Sequence, residues 1–67
     1  MMQIWLNGTP VSIRDDATVQ DVVESLLAST KGVAVSVDRD VVPRSSWPTT
    51  SLPEGSHVEV LAAAAGG

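Results

Sequence analysis

One stretch of this chain has the apolar spacing of a helix, and the segments around it alternate. Val19, Val22, Val23, Leu26 and Leu27 recur at i, i+3, i+4, i+7 and i+8. That is the single apolar stripe of an amphipathic helix. Elsewhere the period is two. Ile4 and Leu6 alternate with Gln3 and Trp5, Val11 and Ile13 with Ser12 and Arg14, and Val33, Val35 and Val37 with Ala34 and Ser36. Val58 and Val60 alternate with Glu59 and Leu61. Period two is the mark of half-buried strands. A helix with one apolar stripe covers one face of one sheet, the two-layer solution open to a small chain. The expected class is therefore α+β: a mixed sheet packed on one amphipathic helix, with a flexible C-terminal tail over 62–67. At 67 residues there is room for one domain, spanning the whole chain.

Turn chemistry separates these segments. Asn7-Gly8 tolerates positive φ at both positions and marks a hairpin, and Pro10 just after it suits an edge strand. Thr18 fits a helix N-cap, with Asp21 three residues on as the acid of a capping box. Lys31 and Gly32 are C-terminal helix signals. Asp38-Arg39-Asp40 turns the chain, and Val41-Val42 forms a short strand stopped by Pro43. The stretch 44–55 holds Pro48 and Pro53 and reads as a loop with a 3₁₀ turn near Trp47. The order is strand, strand, helix, strand, short strand, strand, tail.

The alternation assigns faces. Ile4, Leu6, Val35, Val37, Val58 and Val60 are expected to face the helix; Trp5, Ala34, Ser36, Glu59 and Leu61 are expected to face away. With no cysteine, no disulfide or thiolate metal site can stiffen the fold. The core must come largely from eleven valines, whose branched side chains suit a pleated surface. Trp47, one of two aromatic residues, is expected to be buried and to close one end of that core.

Charge and composition exclude several classes of function. Eight acids against four bases give a net charge of −4, the wrong sign for a nucleic-acid partner. No apolar run approaches the roughly 20 residues of a membrane span. No basic segment followed by an apolar stretch opens the chain, so the expected location is cytoplasmic. The catalytic inventory is thin. His57 stands alone at the start of the last strand and reads as a solvated side chain. Asp15-Asp16 and Asp38/Asp40 read as turn and cap chemistry, and no glycine-rich phosphate loop is present. An active site of the chain's own is not expected, nor a bound metal or cofactor.

The remaining candidate is the end of the chain, Ala62-Ala63-Ala64-Ala65-Gly66-Gly67. Termini often carry no function. A partner enzyme that must reach a terminal carboxylate would nevertheless favour such an arm. Glycine has no Cβ and passes where other residues do not, and six extended residues reach roughly 20 Å.

These features together resemble the ubiquitin-like β-grasp, and within it the bacterial ThiS family of thiamine-biosynthesis sulfur carriers. The resemblance covers essentially the whole chain. It is carried by Met2-Gln3-Ile4 with Leu6-Asn7-Gly8, by Thr18-Val19 with Leu26-Leu27, by Gly66-Gly67, and most specifically by Val41-Val42-Pro43-Arg44-Ser45-Ser46-Trp47. The last segment is similar to that family's Val-Pro-Arg-x-x-Trp. Met1 is an extra residue relative to the family's start, and the alanine tail is plainer than its mixed tails. The resemblance implies that Gly67 is the residue modified, first as an acyl-adenylate and then as a thiocarboxylate, and that Gly66 gives the tail access. It implies three partners: a ThiF-like adenylyltransferase that uses ATP, a cysteine desulfurase or other sulfur donor, and a ThiG-like thiazole synthase that takes the sulfur. The outward sheet face bearing Trp5, Glu59 and Leu61 is expected to dock the adenylating partner, although Trp5 equally suits stacking on a neighbouring strand residue. Gly-Gly alone is also found in the molybdopterin synthase small subunit and in ubiquitin-like protein modifiers, and these remain the alternatives.

Overall fold

A computed structural model describes residues 1–26 and 32–62. Five strands form one sheet: β1 (Met2–Leu6), β2 (Thr9–Ile13), β3 (Val33–Val37), β4 (Asp40–Val42) and β5 (His57–Ala62). A helix, α1 (Val19–Leu26), lies between β2 and β3 in sequence, and a 3₁₀ segment, Arg44–Thr49, lies between β4 and β5. The strand order is β2-β1-β5-β3-β4. β5 is parallel to β1 and antiparallel to β3, while the β1–β2 and β3–β4 pairs are antiparallel hairpins. The sheet is thus mixed, as the alternation and the single helix led us to expect.

Both hairpins close through two-residue loops. Leu6 pairs with Thr9 across Asn7 (φ 49°) and Gly8 (φ 82°). Val37 pairs with Asp40 across Asp38 (φ 49°) and Arg39 (φ 74°). Two left-handed residues in succession match the twist of the flanking strands. The second loop achieves this without glycine. Pro10 sits opposite Trp5 on edge strand β2, where a missing N–H is tolerated.

The helix begins on the expected capping box. Thr18 Oγ1 accepts from the Asp21 backbone N–H at 3.3 Å, and Asp21 Oδ2 accepts from the Thr18 N–H at 3.0 Å. Val19, Val22 and Val23 are buried, but Leu26 is 45% exposed, so the expected stripe does not stay buried along the described helix. Leu27 and Lys31, and with them the expected last turn of the helix, lie outside the described residues; Gly32 has φ 71°, a left-handed conformation open to glycine.

The core gathers Ile4, Val19, Val22, Val23, Val35, Trp47, Leu52, Val58 and Val60, with Leu6 and Val37 packed partly buried against it. The six residues expected to face the helix therefore do so. Trp47 is 1% exposed, as expected of a ring that closes the core. Its indole Nε1 donates to the Val42 carbonyl at 3.0 Å. The loop 44–55 contributes more than expected: Leu52 is buried, and the Thr50 carbonyl accepts from the Val19 N–H at 3.0 Å. That contact ties the loop to the first turn of α1. Ala62, expected in the tail, is instead the last residue of β5 and pairs with Val33. Antiparallel pairing with β3 holds the strand one residue longer than its alternation alone indicates.

Candidate functional site

The site is built on β5 because that strand is central and carries the chain toward its last residues. Val58 and Val60 point into the core, so His57, Glu59 and Leu61 must point outward. Register places their neighbours on the same outer face. Leu61 lies beside Ala34, Glu59 beside Ser36, and Ser36 beside Val41. On the other flank, His57 lies beside Trp5, and Trp5 beside Pro10.

The outer face exposes a group of apolar side chains. Trp5 is 41% exposed, Leu61 65% and Val41 75%. Glu59 and Leu61 stand between two shallow depressions. One is lined by Ala34, Ser36, Arg39 and Val41, the other by Trp5, Asn7, Gly8 and His57. Arg39 and Glu59 give the first depression one charge of each sign. Trp5 stacks on His57 with ring centroids 5.7 Å apart and planes within 4°. The stacking expected as one role for Trp5 is therefore present, and the ring still keeps solvent-exposed surface. His57 is an exposed side chain, as its isolation in the sequence indicated.

One residue of this region was read only as a turn former. The Asn7 backbone N–H donates to the Val58 carbonyl at 2.9 Å, continuing the β1–β5 ladder past Leu6. Its side-chain amide then makes the next two bonds. Nδ2 donates to the Val60 carbonyl at 3.2 Å, and Oδ1 accepts from the Val60 N–H at 2.9 Å. The amide thus replaces a peptide group in the ladder. Only the residue pair Asn-Gly hinted at it, and a hairpin is the ordinary reading of that pair.

The structure brings Trp5, Glu59 and Leu61 onto one face. Gly66 and Gly67, and the expected flexible tail, lie outside the described residues. Among the described residues no group of three or more His, Cys, Asp or Glu side chains is placed to hold a metal ion. No described helix is long and apolar enough to cross a membrane.

Comparison with known proteins agrees along the length of the chain. The chain is 34% identical to the sulfur carrier protein ThiS of Thermus thermophilus, over 96% of this chain and 98% of that protein. It is 27% identical to the sulfur carrier protein ThiS of Escherichia coli, over 98% and 100%. The crystal structure of the thiamine biosynthesis protein ThiS of Geobacter metallireducens superposes with a TM-score of 0.82 at 26% identity, covering 98% of this chain and 100% of that one. The ThiS family model matches residues 4–67, from the first buried residue of β1 through Gly66-Gly67, and the chain belongs to the ThiS family.

Proposed function

We propose that this member of the ThiS family is a sulfur carrier of thiamine biosynthesis whose reacting group is the carboxylate of Gly67. The observation that carries this reading is the extent of the match. The sulfur carrier relatives align over nearly all of the chain, and the family match includes both glycines. The chain is a co-substrate for other enzymes rather than an enzyme itself, and it holds no cofactor; ATP belongs to the adenylating partner.

The chemistry follows from what a carboxylate lacks. It is a poor acceptor for a nucleophile, so it must first gain a leaving group. On a ThiF-like adenylyltransferase, a Gly67 carboxylate oxygen attacks the α-phosphorus of ATP and pyrophosphate leaves. The terminal sulfur of a persulfide, formed by a cysteine desulfurase or another donor, then attacks the acyl carbon and AMP leaves. A thiol cleaves the resulting S–S bond, forming a new disulfide and leaving a thiocarboxylate on Gly67. Its soft anionic sulfur is the nucleophile offered to a ThiG-like thiazole synthase. The chain has no cysteine, so no side-chain thiol of its own can store the sulfur. Gly66 supplies clearance where the tail enters a partner. The outer face with Trp5, Glu59 and Leu61 is the docking surface for the adenylating partner.

The test is the intact mass of the protein isolated from cells, together with carrier-dependent pyrophosphate exchange by the purified adenylating enzyme. Replacement of one oxygen by sulfur, removable by alkylation and hydrolysis, is expected. Deleting Gly67 should abolish exchange, because the carboxylate then stops about 3.5 Å short of its target. Adducts with other proteins in place of the sulfur exchange would mark a protein modifier. Wild-type exchange by the Gly67 deletion would refute the carrier mechanism.

A further inference from the structure

We infer that Asn7 is a positioning residue for sulfur carriage: its side-chain amide holds in line the end of β5, the strand that leads toward Gly67. The inference rests on the carrier reading above. β1 ends at Leu6 and β5 continues to Ala62. In a strand, the N–H and C=O of one residue point to the same side, so Val60 presents both toward β1 just where β1 turns away. Asn7 meets both, at 2.9 Å and 3.2 Å, across 53 positions of sequence. Among the described residues the Val60 pair is the last hydrogen bonding on the β1 side of β5, and Gly67 is the fifth residue after Ala62.

Asn7 can do this because of its own backbone. At φ 49° it occupies the first position of the hairpin loop, a left-handed conformation that asparagine tolerates. Glycine would form the same turn at least as well. The hairpin alone therefore does not require an amide at this position; the pairing with Val60 does. Without it, the pairing with β3 still keeps Glu59 and Leu61 on the outer face, so docking is retained. What is lost is the hold on the β1 side of the segment from which the tail departs. Fewer docked complexes then present the carboxylate to ATP, and a small misplacement of a reacting group is costly.

The experiment is steady-state pyrophosphate exchange with the purified ThiF-like adenylyltransferase, varying carrier concentration, for the wild type, Asn7→Gly, Asn7→Asp and Asp38→Gly. Asn7→Gly keeps the turn and removes the amide. Asn7→Asp keeps the acceptor for the Val60 N–H but sets a carboxylate oxygen against the Val60 carbonyl. Asp38→Gly is the control: it has the same φ of 49° in the other hairpin, and its Oδ1 accepts from the His57 N–H at 2.9 Å, at the start of β5 rather than its end. We expect Asn7→Gly to lose on the order of tenfold in kcat with KM within about twofold of wild type, and Asn7→Asp, which also adds a charge beside Trp5 and His57, to lose at least as much in kcat. Amide exchange at Val60 should be faster in Asn7→Gly, which removes the acceptor of its N–H, while β3 amides keep their protection. Asp38→Gly should match the wild type in kcat. Unchanged kcat in Asn7→Gly, a change confined to KM, or an equal loss in Asp38→Gly would each overturn the positioning role while leaving the carrier reading intact. Absence of exchange with the wild-type chain would overturn the carrier reading and this inference with it.

Discussion

Trp47 shows how one side chain can decide whether this fold survives. Its ring is almost fully buried, its Nε1 donates to Val42, and the Arg44 guanidinium lies 5.6 Å from the ring centroid. Trp47→Ala should destabilise the protein by about 3–5 kcal/mol, a large fraction of the roughly 5–15 kcal/mol that holds a typical domain together. Denaturant unfolding measures this; a loss below about 1 kcal/mol would show that the ring does not hold the core. Asp21 makes the second residue-scale case, through pH. The Thr18 backbone N–H is the main influence holding its carboxyl below the usual carboxylate range, opposed by partial loss of solvent, with Arg14 assisting. A depressed folded-state value means that this contribution is fully present above the unfolded value of about 3.9. It is lost as pH falls through the folded value. Asp21→Asn should therefore show a shallower loss of stability on acidification below about pH 4 than the wild type. Superimposable acid limbs would show that the carboxylate bond to Thr18 does not contribute in solution.

At the scale of the element, β5 serves two faces at once. Val58 and Val60 build the core, while Glu59 and Leu61 stand between the two outer depressions. Leu61→Asp adds a charge where the side chain is already 65% exposed. It should leave folding within about 0.5 kcal/mol of wild type and weaken binding to the adenylating partner at least tenfold, as expected when an interface anchor is lost. Trp5→Ala should act in the same direction, with a further small loss from the broken His57 stack. Binding calorimetry with the purified partner tests both, and wild-type affinity in both variants would rule this surface out. Much of β5 was legible beforehand, because alternation is a local property that assigns each side chain a face. Its extension to Ala62 was not, since an alanine run carries no alternation and its pairing partner, Val33, is distant in sequence.

For the whole molecule, the sheet order makes the centre differ from the edges. β1, β5 and β3 each have strands on both sides, whereas β2 and β4 each have one. Native-state hydrogen exchange should therefore be slowest for the paired amides of β1, β5 and β3, and faster for β2 and β4, because local opening spares elements with more buried contacts. β4 amides as slow as those of β5 would contradict this order. The same arrangement suits a carrier. The strand leading toward Gly67 is the central one, and its outward side chains are exposed while its inward ones stay in the core.

The sequence by itself determined which residues face the helix, where both hairpins and the helix cap fall, and that one mixed sheet must carry one helix. Each of these follows from local periodicity or from the backbone angles that Asn, Gly, Asp and Thr tolerate. It also carried the resemblance, through Val41-Val42-Pro43-Arg44 with Trp47 and through Gly66-Gly67. Tertiary structure decided the rest. The parallel pairing of β5 with β1, the burial of Leu52 in a loop, the exposure of Leu26 and the Trp5–His57 stack all depend on segments far apart in the chain. The bonds from Asn7 to Val60 are the clearest case. The same residue satisfies a local turn and a distant ladder, and only closure of the sheet brings the unpaired peptide groups of Val60 to its amide.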